Sequence, residues 1–144
     1  MPDQEPTSAP PPPGPAPEPG AKSPSTGLPS NVAAALACIP LIGGIIFYIV
    51  EKHDSFVRFY AMQSIIFGGA WLLFNIASSV VHAVFGAIPG IGGLLLFFWA
   101  IIAALIHIAF LVVWIVATIK AFTGVRWDIP YIGAMARKQV ETAP

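Results

Sequence analysis

The feature that most constrains this chain is a long stretch without charge. Between Arg58 and Lys120, residues 59–119 contain no Asp, Glu, Lys or Arg. Only 10% of the whole chain is charged, whereas soluble domains have about 25%. A soluble fold this poor in charge could not cover its surface with groups that water solvates. The stretch is long enough to cross the roughly 30 Å hydrocarbon core of a bilayer more than once, which predicts an integral membrane protein.

A different composition marks residues 1–30. This segment contains eleven of the fifteen prolines, and its first large aliphatic residue after Met1 is Leu28. It can bury too little apolar surface to offset the entropy lost on ordering. We therefore predict a disordered proline-rich tail that acts as a polyproline II spacer, with a PxxP ligand as the alternative.

Three apolar segments follow the tail, and each is long enough to cross a bilayer. They are residues 32–50, 61–84 and 95–119. The predicted fold class is therefore all-α, with three transmembrane helices in a membrane domain at residues 31–138. A short interfacial segment ends this domain, and residues 139–144 are predicted to be a flexible C-terminus.

The Lys and Arg residues near the predicted spans indicate an orientation. Six of them lie in the hinge at residues 51–60 and in the C-terminal segment: Lys52, Arg58, Lys120, Arg126, Arg137 and Lys138. Three crossings put both regions on one side, whereas four crossings would separate them. The positive-inside rule then predicts that the hinge and the C-terminus are cytoplasmic and that the proline-rich tail lies outside.

Polar side chains interrupt the apolar pattern near the middle of the second and third spans. Hydrocarbon offers no water to Asn75 or His107, so each needs a partner within the protein. We predict that they face each other, with a hydrogen bond of about 0.6–2 kcal/mol. Ser79 and His82 fall on the same face as Asn75, with His82 nearer the outer end. Structural packing is the leading interpretation, and a ligand or proton role is the alternative.

One proline–glycine hexapeptide occurs three times, as IPLIGG at 39–44, IPGIGG at 88–93 and IPYIGA at 129–134. The residues between the copies do not align, so we do not interpret them as a duplicated module. We expect Pro40 in the first copy to kink the first span. The second copy is expected to end an outer turn and start the third helix, and the third to start an in-plane segment at the inner surface.

The block FVRFYAMQ at residues 56–63 fits the entry of a helix into a membrane. Its aromatic residues favour the interface: Phe56, Phe59 and Tyr60. Arg58 is expected to stay among the headgroups. Gln63, one turn further in, is expected to bond either to the hinge backbone or to the C-terminal segment.

The neighbouring residues Glu51, His53 and Asp54 could suggest a metal site. Their spacing implies no fixed ligand geometry, so a solvated hinge is the preferred interpretation. The chain has no phosphate loop, metal-spaced Cys and His set or paired catalytic carboxylates. With a net charge of zero, nothing indicates a nucleic-acid partner. We predict a protein without enzymatic activity and without a cofactor.

Two blocks together resemble a known family. The first is FVRF-x-A-x-Q, Phe56–Gln63, and the second is the K-A-[FY]-x-G…P-x-I-G pattern from Lys120 to Gly133, which includes Pro130. Over residues 31–138 the chain resembles small bacterial membrane proteins of unknown function that are similar to the chloroplast inner-envelope import component Tic-twenty. The resemblance implies a multi-pass protein of the bacterial cytoplasmic membrane. The family usually has His where this chain has Tyr60, and its chloroplast members are described with four spans.

The leading functional prediction is a membrane protein that acts in the lipid bilayer through helix packing with itself or with other membrane proteins. The alternative, which the resemblance implies, is an oligomeric transport or protein-translocation component, because three spans from one chain would enclose no wide pore. A membrane enzyme is a third possibility, for which metal binding at the hinge would be the evidence.

Overall fold

The computed structural model describes residues 25–143, and within them all regular structure is helical. The helices are α1 (Ser30–Ala37), α2 (Ile42–Val50), α3 (Ser55–Gly86), α4 (Gly92–Phe122) and α5 (Ile132–Thr142). The all-α prediction is confirmed for this part of the chain. Most of the predicted disordered tail, residues 1–24, lies outside the described residues.

Two long antiparallel helices, α3 and α4, dominate the fold. They have 32 and 31 residues, or about 48 and 46 Å at 1.5 Å per residue, which exceeds the thickness of a hydrocarbon core. Among residues 25–143 these two helices are long and apolar enough to cross a membrane. The predicted second and third spans, residues 61–84 and 95–119, lie within them.

The predicted first span, residues 32–50, is wrong as a crossing helix. Its two helices have 8 and 9 residues, about 12 and 14 Å, and neither reaches across a bilayer. Their outer ends lie together, because Ser25 N donates to Glu51 Oε1 at 3.1 Å and Ser30 Oγ donates to Asp54. The chain therefore reverses its direction within this segment, and we call α1, residues 38–41 and α2 the α1–α2 hairpin. The described residues therefore contain two helices of crossing length, where the sequence predicted three.

The reversal takes place at the first hexapeptide copy. Leu41 adopts φ 60° and ψ −65°, and Ile42 N donates to Pro40 O at 2.7 Å, which makes a γ-turn. Pro40 has no N–H with which to continue α1. The positive φ at Leu41 then turns the chain back on itself, whereas a proline within a continuing helix would only have kinked it.

The same local conformation explains all three hexapeptides. The third residue of each copy has a positive φ: Leu41, Gly90 and Tyr131. The fifth residue is a buried glycine at which a Cβ would collide with the preceding chain: Gly43, Gly92 and Gly133. Each copy therefore turns the chain sharply and starts the next helix, namely α2, α4 and α5.

Helix α3 is the centre of the packing, since the other four helices all contact it. The core where they meet is rich in alanine, and its fully buried alanines are Ala33, Ala34, Ala37, Ala61, Ala121 and Ala136. Such small side chains let helix backbones approach closely, as is typical of helices in membranes. Helix α5 continues to Thr142 and so includes residues 139–142, which were predicted to belong to a flexible C-terminus.

Candidate functional site

Two side chains one helical turn apart on α3 hold the segment that follows α4. Tyr60 donates its hydroxyl to Val125 O at 2.5 Å and accepts from Trp127 N at 3.0 Å. Gln63 Nε2 donates to Trp127 O at 3.3 Å, and its Oε1 accepts from Ile129 N at 3.2 Å. We call this arrangement the Tyr60–Gln63 clamp. Of the two bonding partners expected for Gln63, the structure places the C-terminal segment beside it.

Two aromatic residues of the same block, for which a position at the membrane interface was predicted, are buried inside the protein. Phe59 and Tyr60 are each only 1% exposed, because residues 125–129 and α5 cover them. Their rings pack edge to face at 5.3 Å, and Phe56, which is half-buried, packs on Tyr60 in the same way at 5.2 Å. The block therefore forms part of the core, and sequence preference for the interface could not reveal the segment that covers it.

Arginines surround this core at the charged end of the molecule. The guanidinium of Arg58 lies 5.0 Å from the centre of the Tyr48 ring, and that of Arg126 lies 5.0 Å from the centre of the Phe59 ring. Both distances suit cation–π contacts. Arg137 pairs with Asp128 at 2.8 Å, which ties α5 to the loop before it.

The third hexapeptide positions α5. Pro130 O accepts from Ile132 N at 2.8 Å, and a Cβ on Gly133 would lie 2.5 Å from Asp128 Cβ. These two predicted residues therefore shape the turn between the clamp and α5. Both residues therefore contribute to the backbone conformation of this turn.

The hinge carboxylate Glu51 is fully buried and accepts four backbone N–H groups. The donors are Ser25 at 3.1 Å, Thr26 at 3.4 Å, His53 at 3.0 Å and Asp54 at 3.1 Å. Burial alone would raise the pKa of Glu51, but the donors, His53 first among them, lower that pKa to about 2. Glu51 therefore organises the hinge as an anion. Within residues 25–143 no group of three or more His, Cys, Asp or Glu side chains could hold a metal ion.

The structure brings Asn75 and His107 together between α3 and α4. His107 Nε2 lies 3.4 Å from Asn75 Oδ1, which is long for a hydrogen bond. Each side chain also makes a shorter bond to its own helix. His107 Nδ1 lies 2.7 Å from Ala103 O, and Asn75 Nδ2 donates to Trp71 O at 2.8 Å.

Ser79 and His82 have no such partner across the helix pair. Both are exposed, and they bond to Ile76 O and Ser78 O of their own helix at 2.7 and 2.8 Å. The buried polar residue here is Ser78, which accepts from Trp99 Nε1 at 3.0 Å. The indole N–H of Trp99, which needs an acceptor, is the signal in the sequence that could have distinguished Ser78 from Ser79.

A cavity of about 350 Å³ lies where the tip of the α1–α2 hairpin meets α3 and α4. Its walls are Pro40, Phe67, Trp71, His107, Phe110, Leu111 and Trp114. The hairpin tip is held there because Trp114 Nε1 donates to Cys38 O at 2.8 Å. Sequence analysis missed the cavity, because it exists only when the first apolar segment turns back at Pro40.

Two long apolar helices, with the charged groups of the described residues gathered at one end, define a small helical integral membrane protein. Similar proteins are also named as membrane proteins. The chain is 35% identical over 116 residues, 79% of this chain and 91% of the relative, to a UPF0132 membrane protein of Methanocaldococcus jannaschii. A second UPF0132 membrane protein of that archaeon is 37% identical over 113 residues, covering 78% of this chain and 71% of the relative. A third, from Archaeoglobus fulgidus, is 36% identical over 112 residues, covering 76% and 94%.

Residues 25–136 match the model of the magnetosome magnetite crystal formation protein family, and the chain belongs to this family. No solved structure matches it. The prediction of a small membrane-protein family of unknown function is thus confirmed at that level. A kinship with Tic-twenty and a bacterial origin are not shown by these matches, whose curated relatives are archaeal.

Proposed function

We propose that the chain crosses the bilayer twice, through α3 and α4, and that the α1–α2 hairpin dips into the bilayer without crossing it. The supporting observation is that Ser25 and Ser30 bond to Glu51 and Asp54, at the opposite end of the hairpin. The hairpin tip packs at Gly68, roughly 20 Å along α3 from its first residue. Such a tip would lie near the middle of the membrane.

The charges support an orientation for this topology. The six basic residues of the described part lie at the hinge, at the end of α4 and in the segment after it, whereas the turn from Ala87 to Ile91 has none. The positive-inside rule then places the hinge and the C-terminus in the cytoplasm. With two crossings, residue 25 lies on that side too, in contrast to the external tail that three crossings require.

Labelling of single cysteines tests this topology. In a Cys38→Ala background, Ser8→Cys, Ala87→Cys and Thr142→Cys are treated in intact spheroplasts with a maleimide that cannot cross membranes. We expect Ala87→Cys to react at once and the other two only after permeabilisation. If Ser8→Cys and Ala87→Cys both react in intact spheroplasts, the result would contradict two crossings and support three.

For function, we propose a non-enzymatic membrane protein that works by packing against a second copy of itself. The supporting observation is the exposure of His82 and Ser79 on α3, in a region where α4 alone, among the helices of residues 25–143, runs beside α3. Polar groups that face lipid are costly. A second helix laid over this face would cover both side chains, and small or polar residues are typical of such contacts.

The mass of the protein in mild detergent tests this proposal, with cross-linking in native membranes as the second measurement. We expect a dimer that the double change Ser79→Ala and His82→Leu weakens. Val84→Leu, on an apolar part of the same helix, is the matched control and should leave the dimer unchanged. Cross-linking that finds only monomers of the unaltered chain would refute self-association.

The transport or translocation alternative depends on the same result. Two crossings and a hairpin enclose no wide pore, so a conducting role needs several copies of the chain, and a monomer would dismiss it. The family description refers to magnetite crystal formation. The packing proposal assigns no residue to that process and stands independently of it.

A further inference from the structure

The cavity at the hairpin tip has the dimensions and lining of a small-molecule site. Its volume of about 350 Å³ falls at the lower end of the range of ligand pockets, roughly 300–1,000 Å³. Four of its wall residues are aromatic: Phe67, Trp71, Phe110 and Trp114. Phe67 and Phe110 contact each other at 5.0 Å between ring centres, and such walls favour a flat ring that packs face to edge or offset.

The polar pair beside the cavity lacks a donor. Ala103 O can only accept, so His107 Nδ1 must carry the proton in its 2.7 Å contact, and Nε2 of the neutral ring is then an acceptor. Asn75 uses its amide N–H on Trp71 O, which leaves its Oδ1 facing His107 Nε2 at 3.4 Å. Two acceptors therefore face each other without a hydrogen between them.

Two changes could supply the missing donor. A doubly protonated His107 would donate to both oxygens, but it would place an uncompensated charge in hydrocarbon, since residues 59–119 contain no carboxylate. A hydroxyl group from a third molecule would donate its one hydrogen to one of the two acceptors without adding any charge. His107 is itself part of the cavity wall, so such a hydroxyl would belong to a molecule seated in the cavity.

From these observations we propose that the cavity binds a lipid-soluble molecule with a hydroxylated aromatic ring, of the phenol or quinol class. The ring lies among Phe67, Phe110 and Trp114, and its hydroxyl donates to His107 Nε2 or Asn75 Oδ1. The molecule reaches the site from the bilayer, through the side of the cavity that the protein leaves open. The α1–α2 hairpin closes the opposite side with Pro40.

Ligand binding to the full chain in mild detergent tests this site. The probes are a benzoquinol with one isoprenyl unit, kept under argon, and its dimethyl ether, which has the same ring and no hydrogen to donate. Binding is followed by quenching of tryptophan fluorescence, since Trp71 and Trp114 line the cavity. We expect the quinol to bind about tenfold more tightly than the ether, the ratio expected for one hydrogen bond in a dry site.

Three variants make the test specific. His107→Leu should reduce quinol affinity to that of the ether. Leu111→Phe, which fills the cavity, should weaken both probes, whereas Leu105→Phe, an equal enlargement on an exposed part of α4, should weaken neither. Equal affinities of the unaltered chain for quinol and ether would overturn the proposal and identify the occupant as an acyl chain or another apolar molecule. If His107→Leu does not fold, the comparison of the two probes and the comparison of Leu111→Phe with Leu105→Phe still test the binding site. Both comparisons apply equally to a monomer and to a dimer.

Discussion

The two ends of this molecule are built differently. The packed half comprises residues 25–70 and 108–143, where the hairpin, α5 and the ends of α3 and α4 meet. The distal half comprises residues 71–107, where α3 and α4, among the described helices, pack mainly against each other. Of all the buried residues, the distal half contains three: Ser78, Gly92 and Ala103. In lipid there is no hydrophobic force between helices, so burial depends on how many helices with small side chains on their contact faces meet at one place. Two helices alone can bury only the one face that each turns toward the other.

Hydrogen bonds follow the same division. In the packed half, side chains reach far along the sequence, as Gln63 does to Trp127 and Ile129. In the distal half most polar side chains bond to the carbonyl one turn back on their own helix, as Ser79 and His82 do. A local bond satisfies a polar group without needing a tertiary partner. The packed half should therefore respond strongly to polar substitutions, and the distal half weakly.

The largest expected effect comes from breaking the clamp. Gln63→Leu leaves Trp127 O and Ile129 N buried without partners, and each such group costs about 1–3 kcal/mol. We expect a loss of about 2–4 kcal/mol in the free energy of unfolding, measured by titration with denaturing detergent. Gln139→Leu, at an exposed position of α5, is the matched control and should change it by less than about 0.5 kcal/mol. Equal effects of the two changes would mean that the clamp contributes little to the packed half.

The contact between hairpin tip and α3 should give the next largest effect. A Cβ at Gly68 would lie 2.8 Å from both Leu41 N and Leu41 Cγ, whereas a Cβ at Gly69 would meet nothing within 4 Å. Gly68→Ala should cost about 1–3 kcal/mol, because overpacking must displace the hairpin backbone. Gly69→Ala should be neutral or stabilise by up to about 1 kcal/mol through helix propensity. A harmless Gly68→Ala would show that the hairpin is only loosely attached, contrary to a packed half.

The hinge should make the stability of the packed half depend on acid. The pKa of Glu51 is about 2 in the folded chain, against an ordinary value of 4.5. A lowered folded pKa stabilises the fold above the unfolded value, and this contribution disappears as the pH falls from about 4.5 to about 2. We expect a loss of about 1–2 kcal/mol over this range. Glu51→Gln should flatten this acid dependence, and a wild-type slope in that variant would assign it to other carboxyl groups.

How much the sequence could reveal differs between the halves. The long charge-free run placed α3 and α4 correctly, and helical periodicity brought Asn75 to face His107. For residues 32–50 the prediction of a crossing helix was wrong, because 19 uncharged residues satisfy the length criterion for a span whether or not the chain turns back. The available signal was the recurrence of IPLIGG as IPGIGG at 88–93, where a turn was already expected. The burial of Tyr60 could not be predicted from the sequence, since it depends on a segment more than 60 residues later in the chain.

The smallest expected effect concerns the polar pair of the distal half. Asn75 and His107 bond locally at 2.8 and 2.7 Å and reach each other only at 3.4 Å. A double-mutant cycle with Asn75→Leu and His107→Leu, measured by unfolding without added ligand, should give a coupling below about 0.6 kcal/mol, the average for hydrogen-bonded pairs in membranes, because no hydrogen lies between the two facing acceptors. A coupling at or above that average would mean that a hydrogen bond joins the two side chains without a ligand, contrary to the two facing acceptors. A coupling above about 2 kcal/mol would contradict the difference between the two halves, because the distal half would then contain a polar contact as strong as the clamp.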